Sequence, residues 1–411
     1  MNAVLHVIGA GLAGLSCAVE ARRRGLAVSL HEAAPHAGGR CRSFFDRRLN
    51  RTVDNGNHLL LSANTAVLDY CRLVGGDSAL TEAPAAFPFM DLADGTRWTV
   101  RPNTGRVPWW LLAPGRRVPD VGLDAYVSLL ALPPHKSETV AGRWGRNPLY
   151  RRLIEPLSTA ILNTEPEKAS AALLRRVLIE TLGRGAAGCR PVLAPVGLGA
   201  ALVDPAVEWL RGAEVSLHTS DALTRIESSG GRVCALEFQK ARMPLGPQDA
   251  VVLAVPPAVA HRLLPSVAPP LDTRPILNAH FALDAPDAPP LVGVVGGLAQ
   301  WLFVRPGMVS VTVSQPGPAA ERPVDVLAGA LWKDVVAVLG LAGKEMPPCR
   351  IIKERRATLA HSPEQEILRP GPRTPLTNLW LAGDWTDTGL PCTLEGAVRS
   401  GLWAARMVAE A

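Results

Sequence analysis

The sequence predicts an α/β protein, a Rossmann-like dinucleotide-binding domain joined to a second domain of α+β type. Three observations predict it. Near the N-terminus an apolar strand runs straight into a G-x-G-x-x-G turn that opens a helix. Near the C-terminus a second apolar strand stops at Gly383-Asp384, and another helix follows. At 411 residues the chain also exceeds a single domain of about 150. With 47% hydrophobic and 19% charged residues it has the composition of a chain that folds around real cores.

Val4-Leu5-His6-Val7-Ile8 reads as a short buried strand. Gly9-Ala10-Gly11-Leu12-Ala13-Gly14 follows, then Leu15, Ala18 and Val19 at helical spacing up to Gly25. Val28 and Leu30 alternate in a second strand with Glu32 at its end. Gly9 permits the tight turn, Gly11 lets backbone approach a pyrophosphate, and Gly14 lets helix and strand pack closely. The phosphates meet free N–H groups at the helix start, around Leu12 and Ala13. Glu32 accepts hydrogen bonds from the adenosine ribose, and its charge disfavours a 2′-phosphate, so the ligand is not NADP.

The chain supplies its own control. Gly183-Arg184-Gly185-Ala186-Ala187-Gly188 matches the same spacing. It follows a helix-like run, and Pro191 comes too soon for a helix to continue. This second match reads as a glycine-rich loop without a nucleotide.

Downstream of Glu32 stand Gly38-Gly39-Arg40 and Asp54-Asn55-Gly56-Asn57-His58. The C-terminal strand Leu379-Trp380-Leu381-Ala382-Gly383-Asp384 leads to Leu390-Pro391-Cys392-Thr393-Leu394-Glu395-Gly396-Ala397. These stretches resemble the amine oxidase and phytoene desaturase superfamily of flavoproteins, which implies FAD as the cofactor. By that resemblance Gly38, Gly39 and Arg40 lie near the flavin side of the pyrophosphate. Residues 54–58 pass the isoalloxazine ring, with Gly56 and Asn57 among the cofactor contacts. Gly383 and Asp384 reach the ribityl and pyrophosphate region, and the helix start at Thr393 and Leu394 aims its amides at the ring. A helix N-terminus there favours the negative charge that reduced flavin gathers. Leu223-Thr224-Arg225-Ile226, residues 231–238 and residues 249–256 resemble the superfamily's middle segment, with backbone near Leu223 at the adenine. The resemblance therefore implies a discontinuous, GR2-type FAD-binding domain from residues 1–65, 195–265 and 370–411. A substrate-binding domain with membrane-facing helices takes residues 66–194 and 266–369.

Within that superfamily, Glu155-Pro156-Leu157-Ser158-Thr159-Ala160-Ile161-Leu162-Asn163-Thr164, followed by Ala169-Ser170, is similar to the squalene-associated FAD-dependent desaturases, the hydroxysqualene dehydroxylases. Two positions depart from that pattern. Glu155 stands where an aromatic residue is usual, and Cys392 where a small residue such as Ala is commoner. The resemblance implies reduction of hydroxysqualene to squalene by hydride from reduced FAD, in squalene and hopanoid biosynthesis. Protonation of an allylic hydroxyl leaves a delocalised cation, so the pocket must exclude water and place one proton donor. His58 and Asp54 are the candidates for that donor. Rival readings are a carotenoid-type desaturase moving hydride the other way, a flavin amine oxidase, and a flavin-free prenyl-protein escort factor. The amine reading is weakened by having only Tyr70, Tyr126 and Tyr150, none beside the C-terminal motif, where Trp385 is the nearby aromatic. The escort reading is weakened by the retained Gly38-Gly39-Arg40 and Gly383-Asp384. Only one dinucleotide motif has the right context, so an external electron donor visits transiently.

The formal net charge is +6, almost all of the positive charge being arginine. No basic run interleaved with aromatics suggests nucleic acid. Seven widely spaced cysteines without C-x-x-C, and histidines without H-x-x-x-H, point to neither a disulfide scaffold nor a metal site. A cytoplasmic, reducing compartment fits. The apolar start, Ala3 to Ile8, is too short for a signal peptide, and the uncharged stretch 288–304 is broken by Pro289, Pro290, Gly293, Gly296 and Gly297. A C30 hydrocarbon substrate nevertheless has to come from a bilayer. Pro108-Trp109-Trp110-Leu111-Leu112-Ala113-Pro114, flanked by Arg101, Arg106, Arg116 and Arg117, suits contact with the inner membrane face. Arg143-Trp144, with Arg146, Arg151 and Arg152, is a second such patch.

Overall fold

The fully apolar strands predicted at both ends need cover on both faces, and a parallel sheet provides it. The computed structural model, which describes residues 3–105, 107–130 and 133–411, places Val4–Ile8 at the middle of a five-stranded parallel sheet. The spatial order is Ser216–His218, Ala27–His31, Val4–Ile8, Ala250–Leu253 and Leu379–Leu381. Three distant stretches of chain thus build one sheet. Side chains alternate between its faces. Leu5, Val7, Leu30 and Val252 meet the helices Leu12–Arg23 and Leu394–Ala409. Ile8, Val251, Leu253 and Leu381 meet a three-stranded antiparallel sheet, Leu223–Ser229, Arg232–Phe238 and Arg242–Pro244, and the helix Pro257–Leu263.

The two helices on the first face lie unusually close. A Cβ on Gly401 would strike the Ala13 carbonyl and the Ser16 hydroxyl. Close approach at this one glycine sets the C-terminal helix directly against the helix that opens the dinucleotide motif.

A second sheet has seven strands, in the order Cys349–Leu359, Thr273–Phe281, Met308–Ser314, Trp301–Arg305, Leu291–Val295, Phe87–Asp91 and Arg97–Val100. Only the pairing of Leu291–Val295 with Phe87–Asp91 is parallel. Leu277, Ala279, Phe281, Val309, Val311 and Val313 pack under the helix Val324–Leu339. The opposite face presents Asn278, His280, Ser310, Thr312 and Ser314, all buried. Helices Glu155–Leu162 and Ala171–Glu180 close over that side with Phe87, Phe89 and Trp301.

The second glycine motif has none of the strand–turn–helix context of the first. Its segment forms two short helical turns, Leu182–Arg184 and Ala186–Cys189, where a plain loop was expected. The turns form because Gly185, at φ 63°, sits against the carbonyls of Asn103 and Gly105, and the Ala186 amide donates to the Asn103 carbonyl.

Candidate active site

The strand Val4–Ile8 ends in a turn that only glycine permits at its first position. Gly9 has φ 103°, and a Cβ there would meet the Ala254 carbonyl. A Cβ on Gly14 would strike the Gly9 carbonyl. Gly11 differs, because a Cβ there would have no protein atom within 4 Å. Its lack of a side chain serves open space beside the turn, not packing. The helix that begins at Leu12 has no side-chain cap, and among the described residues the Ala13 and Gly14 amides make no hydrogen bond. An uncapped helix start beside an open glycine is a site for phosphate oxygens. At the neighbouring strand end, Glu32 accepts from the Ala10 amide at 2.7 Å and the Ala34 amide at 2.8 Å. The Asp221 amide donates to the Glu32 carbonyl, which brings the start of the Leu223 strand to the same corner. The Leu223 side chain itself is buried in the core.

The Gly38 amide donates to the Ala10 carbonyl at 2.8 Å, so the glycine doublet lies on the first turn. Arg40 Nη2 then reaches Asp384 Oδ1 at 2.7 Å. The Asp384 carboxylate beside it raises the Arg40 guanidinium further, so the charge is permanent. Gly383, at φ 147°, has its amide held by Ser400 Oγ. In the last helix Thr393 is the N-cap, with Oγ1 accepting from the Gly396 amide at 3.1 Å. Among the described residues the Leu394 and Glu395 amides make no hydrogen bond.

From this helix start an apolar cavity runs into the second domain. His58, Cys392, Thr393 and Leu394 bound one end; Leu153, Leu157, Ile161, Phe87, Phe89 and Trp301 supply much of the wall. The 155–170 segment, read in the sequence as the discriminating one, contributes Leu157, Ala160, Ile161 and Asn163 to that wall. His58 keeps open surface toward the cavity, and burial pushes its imidazole below the ordinary value. At pH 7 the neutral imidazole predominates.

Asp54 is placed differently from the expectation. Its Oδ1 accepts from Ser43 Oγ at 2.5 Å and from the Leu198 amide at 2.9 Å, and its Oδ2 faces Arg305 at 3.4 Å. The carboxylate is buried and does not line the cavity. It anchors the loop, because its oxygens are taken by Ser43, Leu198 and Arg305. Nor do the tyrosines or Trp385 line the cavity. Tyr70 donates to the Leu202 carbonyl, Tyr126 accepts from the Val118 amide, and Trp385 is buried and donates to the Val255 carbonyl. Glu395 lines the cavity, but its carboxylate accepts from the Ala66 and Val67 amides and from Arg399.

Two groups of residues that hold the site were missed in the sequence. On the second sheet, His280 Nε2 donates to the Asp54 carbonyl, and its Nδ1 accepts from Ser310 Oγ. Burial pushes that imidazole down to about 4, so it serves as a neutral tie. Asn278 Oδ1 accepts from the Asn57 amide at 3.3 Å, and Asn57 Nδ2 donates to Thr312 Oγ1 at 3.1 Å. Together these pin Gly56, Asn57 and His58 in place. The second group is His361, Glu366 and Arg369. His361 Nε2 accepts from the Cys392 amide at 2.9 Å, so Nδ1 carries the proton it donates to Glu366 Oε1 at 2.6 Å. Arg369 donates to Glu366 and to the Asp384, Thr386 and Leu390 carbonyls. The only sequence signal for the first group was polar alternation in the strands, which ordinarily marks a solvent face.

A dinucleotide cradle that opens onto an apolar cavity is the build of a flavin-dependent oxidoreductase. The model of the family "Flavin containing amine oxidoreductase" matches residues 12–409. A hydroxysqualene dehydroxylase of Sinorhizobium fredii is 45% identical over 98% of this chain and 97% of its own length. Another, of Rhodopseudomonas palustris, is 44% identical over 99% of each chain. The solved cyclohexylamine oxidase of Brevibacterium oxydans superposes with a TM-score of 0.71 at 16% identity, over 100% of this chain and 99% of that one, a likeness of fold alone. The chain belongs to the flavin-containing amine oxidoreductase family and, within it, to the hydroxysqualene dehydroxylases.

Proposed function

We propose that this enzyme binds FAD and reduces hydroxysqualene to squalene, with loss of water. The observation that carries the reading is the apolar cavity that starts at the Thr393 helix end and has His58 on its wall. Gly9, Gly11, Leu12, Ala13 and Gly14 would cradle the pyrophosphate, Glu32 the adenosine ribose, and Arg40 with Asp384 the ribityl side. Gly38, Gly39, Gly56, Asn57, Leu223, Gly383, Thr393 and Leu394 would complete the surround. Bound, reduced FAD supplies hydride.

The residues of the chain do the rest. Apolar walls keep water from an allylic cation that it would capture. The departing hydroxyl takes one proton and leaves as water, and one hydride replaces it at carbon. His58 is the imidazole on the cavity wall and is assigned to hold that proton. The Cys392 thiol is pushed up by burial and stays protonated, a neutral part of the wall. An amine substrate is disfavoured by the same cavity, which offers a cation neither a tyrosine pair nor a free carboxylate among the described residues.

The substrate is proposed to enter from the cytoplasmic face of the membrane. Val107, Trp109 and Leu112 are 74%, 50% and 71% exposed on one short segment, and Val127 is 62% exposed. Arg116 lies over the Trp109 ring at 4.9 Å, a pairing suited to anionic headgroups. The adjacent Trp110 is buried in the same core that walls the cavity. Arg106 lies outside the described residues. Trp144, of the second arginine-rich patch, is buried, so that patch offers no aromatic anchor. No helix among the described residues is long and apolar enough to cross a membrane.

The test is anaerobic incubation of pre-reduced holoenzyme with hydroxysqualene. Squalene with one flavin oxidised per molecule is the expected result. Desaturation of phytoene by oxidised enzyme, without squalene formation, would replace this reading with the carotenoid-type one.

A further inference from the structure

A cavity for a hydrocarbon needs no hydrogen-bonding groups, yet its wall carries several. Asn163, Ser314 and Thr358 all line it. They come from three separate stretches of chain, and strand register explains how they meet. Ser314 pairs with Ile276, and Thr358 pairs with Arg274 on the other side of the same strand.

Asn163 is held from every side. It ends its helix in the left-handed region at φ 45°, and Gln315, directly after the strand Met308–Ser314, is left-handed at φ 48°. Non-glycine residues adopt that region at a cost, and such strain concentrates at functional sites. The two lock each other. The Gln315 amide donates to Asn163 Oδ1 at 2.8 Å, and Gln315 Nε2 donates to the Asn163 carbonyl at 2.8 Å. Asn163 Nδ2 then donates to Thr358 Oγ1 at 2.9 Å. Because Thr358 accepts there, its own O–H proton is free to donate, and it donates no hydrogen bond among the described residues.

Ser314 is 3% exposed, and both its backbone groups are taken by Gln300. Its hydroxyl makes no hydrogen bond among the described residues. It is not sealed in the core either, since it opens on the cavity.

We infer that Ser314 and Thr358, the latter oriented by Asn163, form the subsite that binds the hydroxyl of an otherwise hydrocarbon substrate. Two hydroxyl donors that lack acceptors, set in apolar surroundings, discriminate by what happens without the ligand oxygen. A site built to pair a hydroxyl rejects the analogue that lacks one, because its own polar groups are left unpaired. Product, which has lost the oxygen, is then held less tightly than substrate. The inference rests on the proposed reaction for the identity of the substrate, but not for its geometry.

The test titrates hydroxysqualene and squalene separately into oxidised holoenzyme, which binds without turnover, and reads the flavin absorbance change. Wild type should bind the alcohol at least about tenfold more tightly. Ser314→Ala and Thr358→Val should each weaken alcohol binding by about tenfold and leave squalene binding unchanged, while Thr358→Ser restores the preference. Variants that keep the wild-type preference, or that weaken both ligands equally, overturn the subsite. Turnover by reduced wild type is measured separately. An enzyme that discriminates the pair but makes no squalene keeps the subsite and loses the reaction. An enzyme that makes squalene but binds both ligands equally keeps the reaction and loses the subsite.

Discussion

Arg40 and Asp384, 344 positions apart in the chain, meet at 2.7 Å between Nη2 and Oδ1. The pair joins the N-terminal glycine doublet to the C-terminal Gly-Asp turn at the rim of the dinucleotide crevice. Asp384 is buried and Arg40 is 42% exposed, so solvent screens part of the attraction. Arg40→Ala leaves a buried carboxylate without its cation. Retention of FAD through gel filtration should fall by roughly ten- to hundredfold. Full retention would show that the pair holds the loops without helping the cofactor.

Gly11 and Gly14 separate cofactor binding from folding. Gly11→Val places its side chain in open space, so thermal stability of the apoprotein should hold while FAD retention is lost. Gly14→Ala drives a Cβ into the Gly9 carbonyl and should destabilise the fold itself by about 1–3 kcal/mol. Glu32→Ala should weaken FAD retention and, because it orphans the Ala10 and Ala34 amides, should also cost about 1–3 kcal/mol of stability. Flavin content against melting temperature for the three variants checks this.

The position of His58 predicts a pH dependence. Burial lowers its pKa below 6.5, so the imidazolium is a minor form at pH 7 and grows as pH falls. If that form delivers the proton, kcat/KM should decrease as pH rises, with its midpoint below 6.5. His58→Gln should remove this limb and slow turnover by roughly 10²–10⁴. An unchanged profile would assign the proton to another group.

The His361–Glu366 pair predicts a local effect. His361→Ala orphans the Cys392 amide and leaves the Glu366 carboxylate with Arg369 alone, which should cost about 1–3 kcal/mol of stability. Loosening of the 390–394 turn should also speed labelling of Cys392 by a maleimide, measured in a Cys234→Ser background because Cys234 is exposed. Equal labelling rates would mean that the turn is held by other contacts.

The apolar patch predicts membrane behaviour. Trp109→Ser combined with Leu112→Ser should weaken sedimentation with anionic phospholipid vesicles by roughly ten- to a hundredfold. Turnover of detergent-dispersed substrate should stay near wild type. Equal vesicle binding would remove this surface as the route of entry.

The glycine turn was legible because its logic is local. A tight turn, an open glycine and a helix start must be consecutive, so Gly9 to Gly14 could be read from spacing alone. Asp54 and His58 looked equivalent in the sequence, since both are polar residues in one short segment. Their separation depends on Ser43 and Leu198, which take the Asp54 carboxylate, while His58 faces the cavity. Asn278, Thr312 and His361 carried no usable signal, because their partners lie on other strands and loops.

By itself the sequence determined a dinucleotide-binding chain and its place among the flavoproteins, because those features need residues in fixed order along the backbone. Only the tertiary structure decided which polar groups are saturated and which stay free. A hydrogen bond depends on what another part of the chain brings to within 3 Å or so. Asp54 is thus a strut and Ser314 an open donor, although the letters at those positions would allow either role.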